Sequence, residues 1–146
     1  MSIKLRMTGF EDLLTQIEKA GGSINSATRE CMDKSAVVMQ DELKSQMHSA
    51  DVPSDLIARM PNYKIEENGN RITALVGYDK GAYDPKNPSD GYKVVFLNYG
   101  TPRRKKHGKV APRGFIQAAK KKATPRIRKI QKSTLEKILM YTELYK

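Results

Sequence analysis

The sequence predicts an α+β fold, a small antiparallel β-sheet packed with a long N-terminal helix and a long basic C-terminal helix. Two observations carry this. Long stretches with apolar residues every three or four positions occupy both ends of the chain, and an alternating apolar–polar ribbon with a Gly-containing turn lies between them. The 146 residues suit one domain. Its expected parts are a helical region over 1–50, a β-sheet region over 61–101, a basic loop over 102–111 and a C-terminal helix over 112–146.

Thr8-Gly9-Phe10-Glu11 reads as a capping box that opens the first helix, with Phe10, Leu13, Leu14, Ile17 and Ala20 on its apolar face. Gly21-Gly22 ends or bends that helix, because each glycine costs a helix interior about 1 kcal/mol. A second helix is expected from Ser23 to about Ser49. Met32, Ala36, Met39, Leu43 and Met47 form its apolar stripe, with Ile24, Ala27, Cys31 and Val38 alongside. In that stripe Cys31 reads as a small buried hydrophobe rather than a nucleophile.

Asp51-Val52-Pro53-Ser54-Asp55 breaks the helix, and a short helical turn follows through Leu56, Ile57 and Met60. Strands are expected at Tyr63–Glu66 and Arg71–Tyr78, joined through Glu67-Asn68-Gly69-Asn70 as a hairpin. Asp79–Gly91, with two glycines and two prolines, reads as an excursion from the core. Val94-Val95-Phe96-Leu97 reads as a strand by β-propensity, although its length alone does not exclude a short buried helix. Beyond the basic loop, Ile116, Ala119, Ala123, Ile127, Ile130, Thr134, Ile138, Tyr141 and Tyr145 mark a helical stripe to the end. Pro125 interrupts it, either as the first residue of a fresh helix capped by Thr124 or as a kink.

Charge is distributed unevenly. The net charge is +11, yet residues 1–50 and 51–100 each carry 6 basic and 7 acidic side chains. Residues 101–146 carry 15 basic and 2 acidic ones, and no carboxylate falls within Arg103–Lys132. Such a block must be solvated, spread along a helix, or answered by an acidic protein or a nucleic acid backbone.

No catalytic constellation is legible, and no enzyme activity, cofactor or metal is expected. The single cysteine and two histidines exclude the multi-cysteine and His-rich metal sites. Cys31 and His48 lie seventeen residues apart on one expected helix, about 25 Å. Gly21-Gly22 lacks the Lys-Ser or Lys-Thr of a phosphate loop. Asp79, Asp84 and Asp90 lack calcium-loop spacing. No leader peptide and no run of about 18 apolar residues is visible, so no membrane contact is expected.

Val94-Val95-Phe96-Leu97-Asn98-Tyr99-Gly100-Thr101, a basic loop, and Ala111-Pro112-Arg113-Gly114-Phe115-Ile116-Gln117-Ala118-Ala119 carry a resemblance. In this order, after a long amphipathic helix, the segments resemble the small tail-completion, or head–tail joining, proteins of long-tailed bacteriophages and prophages. The likeness runs from about Phe10 to Ala119. Asn98 stands where that family usually carries Glu, and Arg113-Gly114 separates Pro112 from Phe115, which the family commonly places together.

The resemblance implies a non-enzymatic virion protein at the junction of capsid and tail, assembled in the host cytoplasm. It implies a ring of six or twelve copies that touches head-completion, tail-terminator or tail-tube proteins. Non-specific contact with the phage DNA that threads the junction is compatible with it. A nucleic-acid-binding protein that uses the basic C-terminal third is the alternative. The ring reading puts its two contact regions at the Asp79–Gly91 excursion and the basic loop, with Arg103, Arg104, Lys105, Lys106, His107, Lys109 and Arg113 as the contact residues, whereas the alternative uses the carboxy-terminal helices. The residues expected to hold that loop are Tyr99, Gly100, Thr101, Pro112 and Phe115. Gly100 would turn the chain, Pro112 would preset the first helical turn, and Phe115 would anchor the helix on the sheet.

Overall fold

A computed structural model describes residues 2–69, 71–79, 84, 86–104 and 108–144, with backbone alone at 102–104 and 108–109. In chain order its elements are β1 (Ser2–Leu5), α1 (Glu11–Lys19), α2 (Ile24–Ser49), α3 (Ser54–Ala58), β2 (Lys64–Asn68) and β3 (Arg71–Gly77). Then come α4 (Asp90–Tyr99), β4 (Thr101–Arg104), β5 (Gly108–Val110) and α5 (Phe115–Leu144). The α+β expectation holds: β1, β3 and β2 form an antiparallel sheet in that order, against which the helices pack.

The hairpin forms as expected and pairs Lys64 with Leu75, but β2 runs on through Glu67 and Asn68, expected in the connection, and Asn68 pairs with Arg71. Its period of two sends Ile72, Ala74, Val76 and Tyr78 to the core. On the other side of β3, Ser2 pairs with Gly77 and Leu5 with Ala74, an N-terminal strand too short to show a pattern in the sequence. With both edges of β3 taken, Val94-Val95-Phe96-Leu97 has no inner ladder to join. It lies in helix α4, where Gly91, Val94 and Asn98 form a buried stripe at spacings of three and four. The strand expectation there is thus corrected, and the sheet does not extend through residue 101.

Helix α2 packs on the sheet with one side and on α5 along the other. Met32, Ala36, Met39, Leu43 and Met47 are all buried, together with Phe115, Ile116, Ala119, Ala123 and Ile127 of α5. A smaller cluster of Ile17, Ala27, Cys31 and Leu135 seats α1 across the α2–α5 pair. Between the two clusters runs a buried polar line. Gln131 Nε2 donates to Ser35 Oγ at 3.0 Å, Ser35 Oγ donates to the Cys31 carbonyl at 2.7 Å, and Cys31 Sγ lies 3.8 Å from the Gln131 carbonyl. Cys31 is fully buried, as the stripe predicts, and burial pushes its thiol up to about 11.

Helix ends follow local chemistry. Ser23 caps α2 by accepting from Ser26 N–H at 3.2 Å. Helices α1 and α2 both close with a paired 6→1 and 5→2 motif: Gly22 N–H to the Ile17 carbonyl and Gly21 N–H to Glu18, then Val52 N–H to Met47 and Asp51 N–H to His48. Gly21 supplies the positive φ in the first, and Asp51, at φ 57°, supplies it in the second. The capping box does not form. Phe10 is the N-cap of α1 with no side-chain bond, and Gly9 N–H, not that of Thr8, reaches Glu11 Oε1 at 3.3 Å. Gly9 at φ 87° turns the chain before the helix and takes Thr8 out of capping position.

At the other end, α5 runs unbroken through Pro125. Thr124 Oγ1 donates back to the Lys120 carbonyl at 2.6 Å, so it does not cap a new helix. Helix α5 starts at Phe115, which leaves Pro112 three residues upstream of it. The apolar stripe does not reach the end as expected: Tyr141 is exposed, beside exposed Met140 and Leu144. Tyr145 lies outside the described residues. Among the described residues, no helix is long and apolar enough to cross a membrane.

Candidate functional site

The expected basic loop is a two-stranded hairpin. β4 and β5 pair antiparallel, Thr101 with Val110 and Arg104 with Gly108. This corrects the loop assigned to residues 102–111, because extended pairing satisfies backbone groups that an open loop would leave to water. Arg103 and Arg104 belong to β4 and Lys109 to β5, whereas Lys105, Lys106 and His107 lie outside the described residues.

Both strands are rooted in the last turn of α4. Asn98 is 1% exposed, and its Oδ1 accepts from the Ile116 N–H at 2.9 Å. The Asn98 carbonyl accepts from the N–H groups of Arg113 and Gly114, and the Leu97 carbonyl from Arg113. One residue therefore holds the first turn of α5 and the chain that leaves β5. Its Nδ2 is buried without a partner among the described residues.

Gly100 makes the turn from α4 into β4. Its backbone sits at φ 78° and ψ 175°, a region kept almost entirely for glycine. A Cβ there would also lie 2.6 Å from the Val110 carbonyl oxygen and 2.9 Å from Pro112 N. Thr101 Oγ1 accepts from Val110 N–H at 3.2 Å and closes the base of the hairpin. Pro112 thus wedges against Gly100 at the hairpin root and does not preset a helical turn. Phe115, 1% exposed, anchors α5 in the core as expected. Tyr99 is 55% exposed at the foot of the hairpin.

Arg113, expected as a contact residue, works on the frame. Its Nη1 donates to the carbonyls of Ala50 and Asp51 at 3.2 and 3.0 Å, neutralising the C-terminal end of α2. The sequence signal for this role was absent, since 62 residues separate the partners. Asn98 was equally illegible, because its capped helix begins far from the usual N-cap position.

The loop ahead of α4 is only partly described; residues 80–83 and 85 lie outside. Asp79 pairs with Lys64 at 3.3 Å, while Asp90 belongs to α4 and takes Arg59 at 2.9 Å. The Arg59 guanidinium holds the Asp90 and Asp55 carboxyls below their ordinary range. Tyr78 donates its hydroxyl to the Leu56 carbonyl at 2.6 Å, and burial pushes that phenol up to about 12. These contacts fasten α3, β3 and α4 together and give Asp79 and Asp90 different cationic partners.

Along α5, Lys120–Lys122, Arg128, Lys129, Lys132 and Lys137 are exposed and have no carboxylate within 4.0 Å among the described residues; Arg126 alone pairs, with Glu42 at 3.2 Å. Cys31 and His48 share α2, the first buried and the second exposed, and do not meet. No group of three or more His, Cys, Asp or Glu is gathered among the described residues. Comparison with protein-family models, curated proteins and solved structures gives no match for this chain.

Proposed function

We propose that the chain is a structural protein of the phage head–tail junction, which docks through the β4–β5 hairpin onto an acidic neighbour. The observation that carries this reading is the rooting of a strongly basic hairpin, at both ends, on the final turn of α4. A charged ribbon on a rigid base can meet a partner with little ordering cost. Exposed Tyr99 beside it adds an aromatic contact of the kind protein interfaces favour. The resemblance of the Val94–Thr101 and Ala111–Ala119 segments supplies the virion context, with assembly in the host cytoplasm. It also supplies a ring, of six or twelve copies, between head-completion and tail-terminator or tail-tube proteins. Such a ring needs head-to-tail contacts between two different patches on each subunit. The protein acts by contact and performs no chemistry.

Reversing Arg103, Arg104, Lys105 and Lys106 to Glu tests this. The variant should fold normally, yet heads and tails should accumulate unjoined in infected cells. Normal yields of infectious particles from that variant would remove the hairpin from the mechanism.

A further inference from the structure

We infer that the outer face of α5 is a second docking surface, separate from the hairpin, for the phosphate backbone of double-stranded nucleic acid. The face carries two adjacent rows of side chains. Lys121, Arg128 and Lys132 recur at i, i+7 and i+11, and Lys122, Lys129, Ser133 and Lys137 at i, i+7, i+11 and i+15. From Lys120 to Lys137 the cations span about 25 Å at 1.5 Å per residue. That length faces roughly seven base pairs of duplex at 3.4 Å each.

The chemistry of the face favours a phosphate backbone over a protein. Every exposed position of α5 between Gln117 and Lys137 is charged, hydroxylic, amide or proline, and Glu136 is the one carboxylate among them. Protein interfaces need an apolar core and are depleted in lysine, and this face offers many lysines around one half-buried apolar side chain, Ile130. Phosphate contacts ask only for cations that can release counterions, which the unpaired ammonium groups of α5 do. From α2, Lys34 leans on the same side. With Lys129, Ile130, Ser133, Thr134 and Lys137 it lines a shallow groove of about 540 Å³, although it also pairs with Glu30 at 3.4 Å. The contacts are to backbone, so binding is independent of base sequence.

The test is fluorescence anisotropy with a random-sequence 30-base-pair duplex and the full chain, at 50 to 150 mM salt. The wild-type protein should bind at 50 mM. With about four phosphate contacts, affinity should fall roughly fifty-fold by 150 mM. K122E/K129E/K137E should bind at least tenfold more weakly at 50 mM, and the hairpin charge-reversal variant should lose less. Circular dichroism establishes that each variant is folded. Should the reversal variant unfold, K122Q/K129Q/K137Q replaces it, with a smaller loss of the same sign.

No binding by the wild type at 50 mM salt overturns the inference, as does unchanged binding by the folded α5 variant. A greater loss from the hairpin variant would move the contact to β4–β5. Displacement of the duplex by polyglutamate at equal charge concentration would make the occupant an acidic protein. Particle assembly does not enter any of these readouts, so this surface and the joining role of the hairpin stand or fall separately.

Discussion

Asn98 Oδ1 accepts the Ile116 backbone N–H at 2.9 Å, so a residue in the last turn of α4 caps the first turn of α5 across the whole hairpin. An ordinary N-cap sits next to its helix. This one sits eighteen residues away, and it makes the two helix ends and the hairpin root one mechanical unit. Asn98→Ala should lower stability by about 1–2 kcal/mol, or Tm by roughly 3–6 °C, in thermal unfolding followed by circular dichroism. An unchanged Tm would mean that the helix start is held by packing alone.

Gly100 gives the sharpest contrast between two glycines. Gly100→Ala forces a Cβ into the Val110 carbonyl at a backbone conformation alanine avoids, and should cost about 3 kcal/mol or more. Gly69 also has positive φ, at 64°, but a Cβ there meets nothing within 4 Å. Gly69→Ala should therefore cost only about 1 kcal/mol. Urea denaturation of both variants checks the difference.

The buried line from Gln131 to Ser35 should behave as a coupled pair. Ser35→Ala strands the Gln131 amide without its acceptor and should cost about 1–3 kcal/mol. Gln131→Leu leaves Ser35 bonded to the Cys31 carbonyl and should change stability by less than about 1 kcal/mol. Combining the two should recover most of the Ser35→Ala loss, a non-additivity that a double-mutant cycle in urea measures directly.

Stability should fall in alkali. The Cys31 thiol is raised from 9.0 to about 11 and the Tyr78 phenol from 10.0 to about 12, so above pH 9 the unfolded chain releases protons first. The folded state then holds more protons, and unfolding becomes easier as pH rises, from about 9 to 12. Below pH 9 neither group contributes a slope. Urea midpoints at pH 8, 10 and 11 should decline in that order, and Cys31→Ala should remove the part between 9 and 11.

Much of the fold was legible because it rests on local periodicity. The stripe Met32–Met47 and the alternation Ile72–Val76 each report which face a single element buries, and the structure buries those faces. Where the answer depended on a distant partner, local pattern fell short. Val94–Leu97 has strand propensity, yet the place beside β3 goes to Ser2–Leu5, and the run buries Val94 and Asn98 as a helix. Pro125 left a fresh helix or a kink as the two expected outcomes, and α5 continues through it as one helix, so no fresh helix starts there. At the candidate site, the glycine turn and the Phe115 anchor were readable from residue type. The role of Arg113 on the end of α2 was not, since nothing in either segment names the other.

The three-stranded sheet leaves two open borders, β1 and β2, and both are short and charged. Lys4 on one and Lys64, Glu66 and Glu67 on the other are exposed. A further strand laid along either border would have to desolvate those charges, which discourages copies from zipping together edge to edge. Copies of the chain at high concentration are therefore discouraged from joining through these borders, and a ring of the kind proposed above would use the other surfaces of the molecule.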